Sequence, residues 1–258
     1  MSSRNPKVLV DHCAIMNGKT TRLVAVTETV NWGPTTAPIR VTRIQGKRLG
    51  RGEDWLRNER RSLAALGAAA REGLITAHTS MELGAERLKA PMGGRGIRGD
   101  LWSGVRFEHS PVPLDRSTWM GSLSLEQMAS KAHREEFYDR LLQFARDGVP
   151  QRFLDCLPST EFIELQKRNL GRLSEFATLC EVVGEQRRGD AFHYWTALCS
   201  DLDYFLTTDN RFLRVLRTHP DKNLIYRAVT PSELVEVIDL PPAALPIEEN
   251  EVAPFATE

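Results

Sequence analysis

Two short apolar runs hand over to carboxylates: Val8-Leu9-Val10 ends on Asp11, and Tyr204-Phe205-Leu206-Thr207-Thr208 ends on Asp209. Open α/β sheets place their sites at the carboxyl ends of strands, so this pattern constrains the fold and locates the chemistry together. Asp190 opens a helical segment 19 residues before Asp209, a spacing that holds one helix, a turn and one strand. All three acids can then reach one edge of a parallel sheet.

The stretch between them alternates strand and helix patterns, as α/β chains do. Residues 55–72 read as a helix stopped by Gly73, and residues 74–79 as a strand followed by a helix that carries Glu82. Ser124-Leu125-Glu126-Gln127 is a capping-box start for one long helix to about Asp147. Residues 153–156 suggest a short strand, residues 160–169 and 173–183 two helices, residues 210–217 a helix and residues 224–229 a last strand. Thr230-Pro231-Ser232-Glu233 sets N-cap, proline and acid for a closing helix. The expected organisation is one α/β domain over residues 1–240 with long insertions at about 17–52 and 91–123, and a disordered acidic tail over 241–258. Alternation in residues 21–27 and 39–44 places a hairpin within the first insertion.

At 258 residues, 41% hydrophobic, the chain can bury a full core, and its apolar runs fall short of a membrane span. Four cysteines stand far apart without a Cys-x-x-Cys pair, which disfavours zinc ribbons and disulfide frameworks and fits a reducing cytoplasm. Formal net charge is zero, yet Arg40 to Arg61 holds eight basic residues against three acids, and the glycine-rich stretch Arg87 to Arg106 holds five against one. Arg43, Lys47, Arg48 and Arg51 in the first insertion and Arg95, Arg98 and Arg106 in the second are the candidate contacts to a nucleic-acid backbone; a solvated helix face and a loop account for the same charges equally well.

With these elements in place the chain resembles the PIN-domain ribonucleases, a family that includes toxins of bacterial toxin–antitoxin pairs. The resemblance lies in Val8-Leu9-Val10-Asp11, Ser80-Met81-Glu82-Leu83, Gly189-Asp190-Ala191-Phe192-His193, Asp203 to Asn210, and the closing Thr230-Pro231-Ser232-Glu233-Leu234. His12 and Cys13 depart from it, since small hydroxyl or amide residues are usual after the first acid. The resemblance implies a PIN-like three-layer fold, with a mainly parallel central sheet flanked by helices. It also implies Asp11, Glu82, Asp190 and Asp209 as catalytic ligands of Mg²⁺ or Mn²⁺, with Thr207, Thr208 and Asn210 behind them to orient a carboxylate or a water. Crowded carboxylates raise one another's pKa unless a cation neutralises them, and oxygen-only ligands suit hard cations. The activity implied is metal-dependent hydrolysis of RNA phosphodiesters, with RNA, a cognate antitoxin or other protein, or a second copy as partners and no membrane. A non-catalytic PIN-like module that binds RNA or protein is the alternative. Aspartyl phosphotransfer lacks its second acid, because Cys13 stands there, and hydride transfer lacks a Gly-x-Gly-x-x-Gly after the first strand.

Overall fold

The computed structural model describes residues 4–50, 53–87, 100–121, 123–225, 227–241 and 243–254. In chain order the elements begin with β1 (Lys7–Val10), α1 (His12–Asn17), β2 (Thr21–Trp32), β3 (Thr35–Gly46), α2 (Asp54–Arg71), β4 (Thr76–Thr79), α3 (Met81–Arg87) and β5 (Glu108–His109). A helical stretch follows: α4 (Arg116–Met120), α5 (Leu125–Ala129), α6 (Lys131–Asp147), α7 (Gln151–Asp155), α8 (Glu161–Leu170), α9 (Leu173–Val183) and α10 (Arg188–Cys199). The chain closes with β6 (Tyr204–Leu206), α11 (Asn210–Leu216), α12 (Lys222–Ile225), β7 (Ala228–Val229), α13 (Pro231–Val237) and β8 (Val252–Pro254). No helix among the described residues is long and apolar enough to cross a membrane.

The chain divides into two compact units, one of Met1–His12, Thr76–Pro91 and Phe107–Val229, the other of Cys13–Ile75, Met92–Arg106 and Thr230–Glu258. The first unit is the α/β body: a central five-stranded sheet in the order β5-β4-β1-β6-β7, flanked by helices. Every pairing in it is parallel, with Val8 opposite Ala77 on one side and Tyr204 on the other. Parallel strands covered on both faces must be apolar throughout, and Val8, Leu9 and Val10 are fully buried. A core of Phe137, Tyr138, Phe176, Phe192 and Trp195 joins α6, α9 and α10, with rings meeting edge-on or tilted at centroid separations of 5.4–6.1 Å.

In the second unit the expected hairpin is longer than its alternation suggests. β2 and β3 pair antiparallel from Thr21 opposite Gly46 to Trp32 opposite Thr35, turned by Gly33 at φ +62°, the positive φ that a two-residue hairpin turn demands. The C-terminal stretch expected as a disordered tail instead supplies β8, which pairs Ala253 with Ile44 and buries Ile247 beside them. The acidic composition signalled disorder, but an open edge on β3 offered its backbone a partner. Helix α13 starts with the capping box its sequence announces, and the buried carboxylate of Glu59 on α2 accepts from the Ser232 amide (2.8 Å) and hydroxyl (2.7 Å) at that helix's first turn. The first insertion, α2, the segment before Phe107, α13 and the C-terminal strand thus gather as one unit, where the sequence reads as insertions in a single domain.

Three assignments change, the first being the expected strand over residues 224–229: Leu224 and Ile225 lie in α12, and the strand is confined to Ala228–Val229. The long helix from Ser124 is two helices, because Ser130 takes an extended backbone and its side chain caps α6 by accepting from the His133 amide. Residues 153–156, expected as a strand, lie in and just past α7, which begins after Pro150.

Candidate carboxylate site

Strand β1 lies at the centre of the parallel sheet; the chain leaves it for β4 and β5 on one side and for β6 and β7 on the other. Beyond the carboxyl ends of β1 and β6 lies the crevice that such a reversal of strand order opens, the usual place for a site in an open α/β sheet. Asp11 stands there at 6% exposure, its amide still in the ladder through a 3.0 Å bond to the Leu206 carbonyl.

The Thr207 hydroxyl ties this acid to the next. It donates to Asp11 Oδ2 (2.8 Å) and accepts from the Asp209 amide (3.0 Å), while Asp11 Oδ1 accepts from the His12 amide (2.7 Å). Thr207 is fully buried, so its one proton has a fixed destination. Asp209 lies beyond the strand as the N-cap of α11, its Oδ1 accepting from the amides of Arg211 and Phe212 (both 2.9 Å). One oxygen of Asp209 thereby anchors the helix. Thr208 is buried beside Thr207, and Asn210 is exposed at the first position of α11.

Asp190, on the first turn of α10, completes the set from the helical layer. Its pKa rises to about 7, chiefly through burial and then through the negative charges of Asp11, Asp209 and Glu86, with His193 acting in the opposite direction. The three aspartates singled out in the sequence therefore share one electrostatic neighbourhood.

Glu82 behaves differently. Only 4% exposed, it accepts from Arg116 Nε at 3.0 Å, and its Oε2 is buried without a hydrogen-bond partner. Arg116 is itself pinned to the carbonyls of Gln127 and Met128. Burial pushes the Glu82 pKa up against the pull of Arg116, His193 and Arg134. One helical turn further on, Glu86 is one of the negative charges that act on Asp190. Burial disfavours its charge, yet His193, Arg134 and His12 hold its pKa at about 2. His193 Nε2 lies 3.5 Å from Glu86 Oε1 and Arg134 Nη2 at 3.8 Å. His193 is fully enclosed; burial works against its proton, but Glu86, Asp11 and Asp190 outweigh that and raise its pKa.

Sequence reading passed over Glu86 and treated His193 as a helix residue without a role in the site. The signal for Glu86 was its i, i+4 relation to Glu82, which places both on one face of α3. The donor set of Asp11, Glu86, Asp190 and Asp209 is all oxygen and over-supplied with negative charge, which suits a hard divalent cation. No three His, Cys, Asp or Glu side chains among the described residues are drawn together closely enough to hold one in this arrangement.

Of the candidate backbone contacts, Arg43 is engaged by Glu28 through two 2.6 Å bonds within the hairpin, and Lys47 donates to the Lys19 carbonyl at 2.8 Å. Arg48 and Arg106 are exposed, while Arg51, Arg95 and Arg98 fall outside the described residues. No family model, curated protein or solved structure matches the chain.

Proposed function

We propose that this chain is a metal-dependent endoribonuclease of the PIN kind, with Asp11, Glu86, Asp190 and Asp209 as the groups that would hold Mg²⁺ or Mn²⁺. One observation carries the reading: the Asp190 carboxyl is pushed up to about 7 by burial and then by the negative charges of Asp11 and Asp209, two aspartates that a single threonine hydroxyl ties together beyond the sheet. Such mutual repulsion is relieved by a divalent cation, which when bound lowers the pKa of a water and stabilises charge on a scissile phosphate.

The protein's own part is positional. Thr207 fixes the rotamer of Asp11, the helix cap fixes Asp209, and the pair of His193 with Glu86 orients that acid and offsets one negative charge. Glu82, placed among the ligands by the family resemblance, acts in this proposal through Arg116 as a brace for α3. RNA is the substrate class, and the exposed Arg48 and Arg106 are the described basic residues free to meet its backbone; a cognate antitoxin belongs to the same reading as a partner.

The test is incubation of the purified full chain with mixed RNAs in Mg²⁺, in Mn²⁺ and in EDTA. Cleavage is expected with either cation and none in EDTA, and Asp11→Asn, Asp190→Asn, Asp209→Asn and Glu86→Gln are each expected to lower it by at least about 100-fold. Full cleavage by Asp209→Asn would sink the assignment. Binding of RNA without cleavage under every condition would favour the non-catalytic module.

A further inference from the structure

At the β4–β5 edge of the parallel sheet the register sets three chemically able side chains on one face. His78 of β4 stands opposite Glu108 of β5, and Ser110 follows two residues after Glu108, so the pleat turns all three the same way. The Ser110 amide donates to the Thr79 carbonyl (2.8 Å), which keeps the residue in line with the strand ends. Its hydroxyl lies 2.9 Å from His78 Nδ1, and Glu108 Oε2 lies 3.9 Å from His78 Nε2.

Ser110 and His78 are only 3% and 6% exposed, but both line a cavity of about 370 Å³, the scale of a small-molecule site. Pro111, Leu165 and Leu202 give the cavity apolar walls. Ser200, just past the end of α10, also lines it, so it lies at the opposite end of that helix from Asp190. A buried hydroxyl must place its proton, and Nδ1 is the acceptor that Ser110 meets. The neutral ring then carries its own proton on Nε2, which is buried without a hydrogen-bond partner. Glu108 is exposed, and a short movement of its side chain brings the carboxylate to that proton; catalytic hydrogen bonds are often long before substrate binds. Burial lowers the His78 pKa against the pull of Glu108 and Asp203, with Lys7 on the side of burial, so the ring is neutral at pH 7 and able to act as a base.

We propose that Ser110, His78 and Glu108 form a second active site, which hydrolyses small carboxylic esters. Ser110 Oγ bonds to the ester carbonyl carbon as its proton passes to His78 Nδ1; the adduct then breaks its bond to the alcohol oxygen, which takes that proton from Nδ1. Water repeats the sequence at the acyl-serine: its proton passes through Nδ1 to Ser110 Oγ, and the acid leaves. Glu108 is the positioning residue, steadying the Nε2 proton and the imidazolium that forms. The apolar walls suit a short acyl chain. The proposal does not rest on the nuclease reading.

The test uses the full chain in EDTA, with p-nitrophenyl butyrate as substrate and a fluorophosphonate as trapping reagent. The fluorophosphonate is expected to label Ser110, located by peptide mass, and to abolish ester hydrolysis in step with labelling. Ser110→Ala and His78→Gln are each expected to lower hydrolysis at least about 100-fold. Glu108→Gln is expected to lower kcat with KM little changed, and Glu108→Asp to restore part of it, a split that a merely structural role would not give. Labelling of the natural chain keeps the question decidable if the His78 variant does not fold. Absence of label on Ser110, label on Ser200 in its place, or hydrolysis by Ser110→Ala at the natural rate overturns the proposal. Because EDTA is present and RNA is not, such a failure is distinct from failure of the nuclease assignment.

Discussion

Asp190 takes up its proton near neutrality because burial first, and then the negative charges of Asp11 and Asp209, disfavour its charged form. The folded pKa of about 7 lies above the ordinary value of 3.8, so the folded state binds the extra proton between those limits. The resulting stability is complete below pH 4, falls as pH rises, and is gone above about 7, an effect on the order of 2–4 kcal/mol. In metal-free buffer, Asp190→Asn is therefore expected to be more stable than the natural chain at pH 8, with the difference shrinking toward pH 5 in urea titrations. His193, whose pKa is also raised, adds in the same direction; Glu86, lowered from 4.5 to about 2, works oppositely, its contribution being full above about pH 4.5 and lost as pH falls toward 2. Glu82 gives the opposite result. Removing one partner of its buried pair with Arg116 strands a charge, so Glu82→Ala is expected to lose about 3–5 kcal/mol, and the double change Glu82→Leu with Arg116→Met to recover much of it. A double variant no more stable than Glu82→Ala would mean that the two side chains do not form a unit.

Among the elements, boundaries set by local chemistry are the ones the sequence displays. The capping box of α13 and the span of α9 from Leu173 to Val183 agree with their residue patterns, since each is decided within one helical turn of its end. Ser130 breaks a helix that periodicity alone continues, because its hydroxyl competes for the amide of His133. Ser130→Ala is expected to cost about 1 kcal/mol in thermal unfolding. The C-terminal strand depends on a contact instead of a pattern: a Cβ added at Gly46 would stand 1.9 Å from the Glu248 carbonyl oxygen. Gly46→Ala is thus expected to lift β8 from β3, seen as faster hydrogen exchange at Ala253 and Ile44 than in the natural chain, with exchange in β1 and β6 unchanged.

For the whole molecule, four free cysteines differ sharply in accessibility. Burial pushes the thiols of Cys180 and Cys199 up to about 12, while Cys156 is exposed. A thiol reagent at pH 8 is expected to modify Cys156 rapidly and Cys180 and Cys199 only on unfolding, because the thiolate is the reactive species. Equal rates at Cys156 and Cys180 in the native protein would contradict the packing around α9.

The sequence by itself determined the α/β class, the parallel neighbours β1 and β6, and the delivery of Asp11, Asp190 and Asp209 to one edge. Strand polarity is written in short apolar runs, and a residue just past such a run has little choice of where to stand. Tertiary structure decided how the two glutamates of α3 are engaged. Glu82 and Glu86 share a helix face, and only the arrival of Arg116 from α4 engages the first, while His193 from α10 meets the second. Both partners lie far along the chain from α3, at separations where no local periodicity carries information.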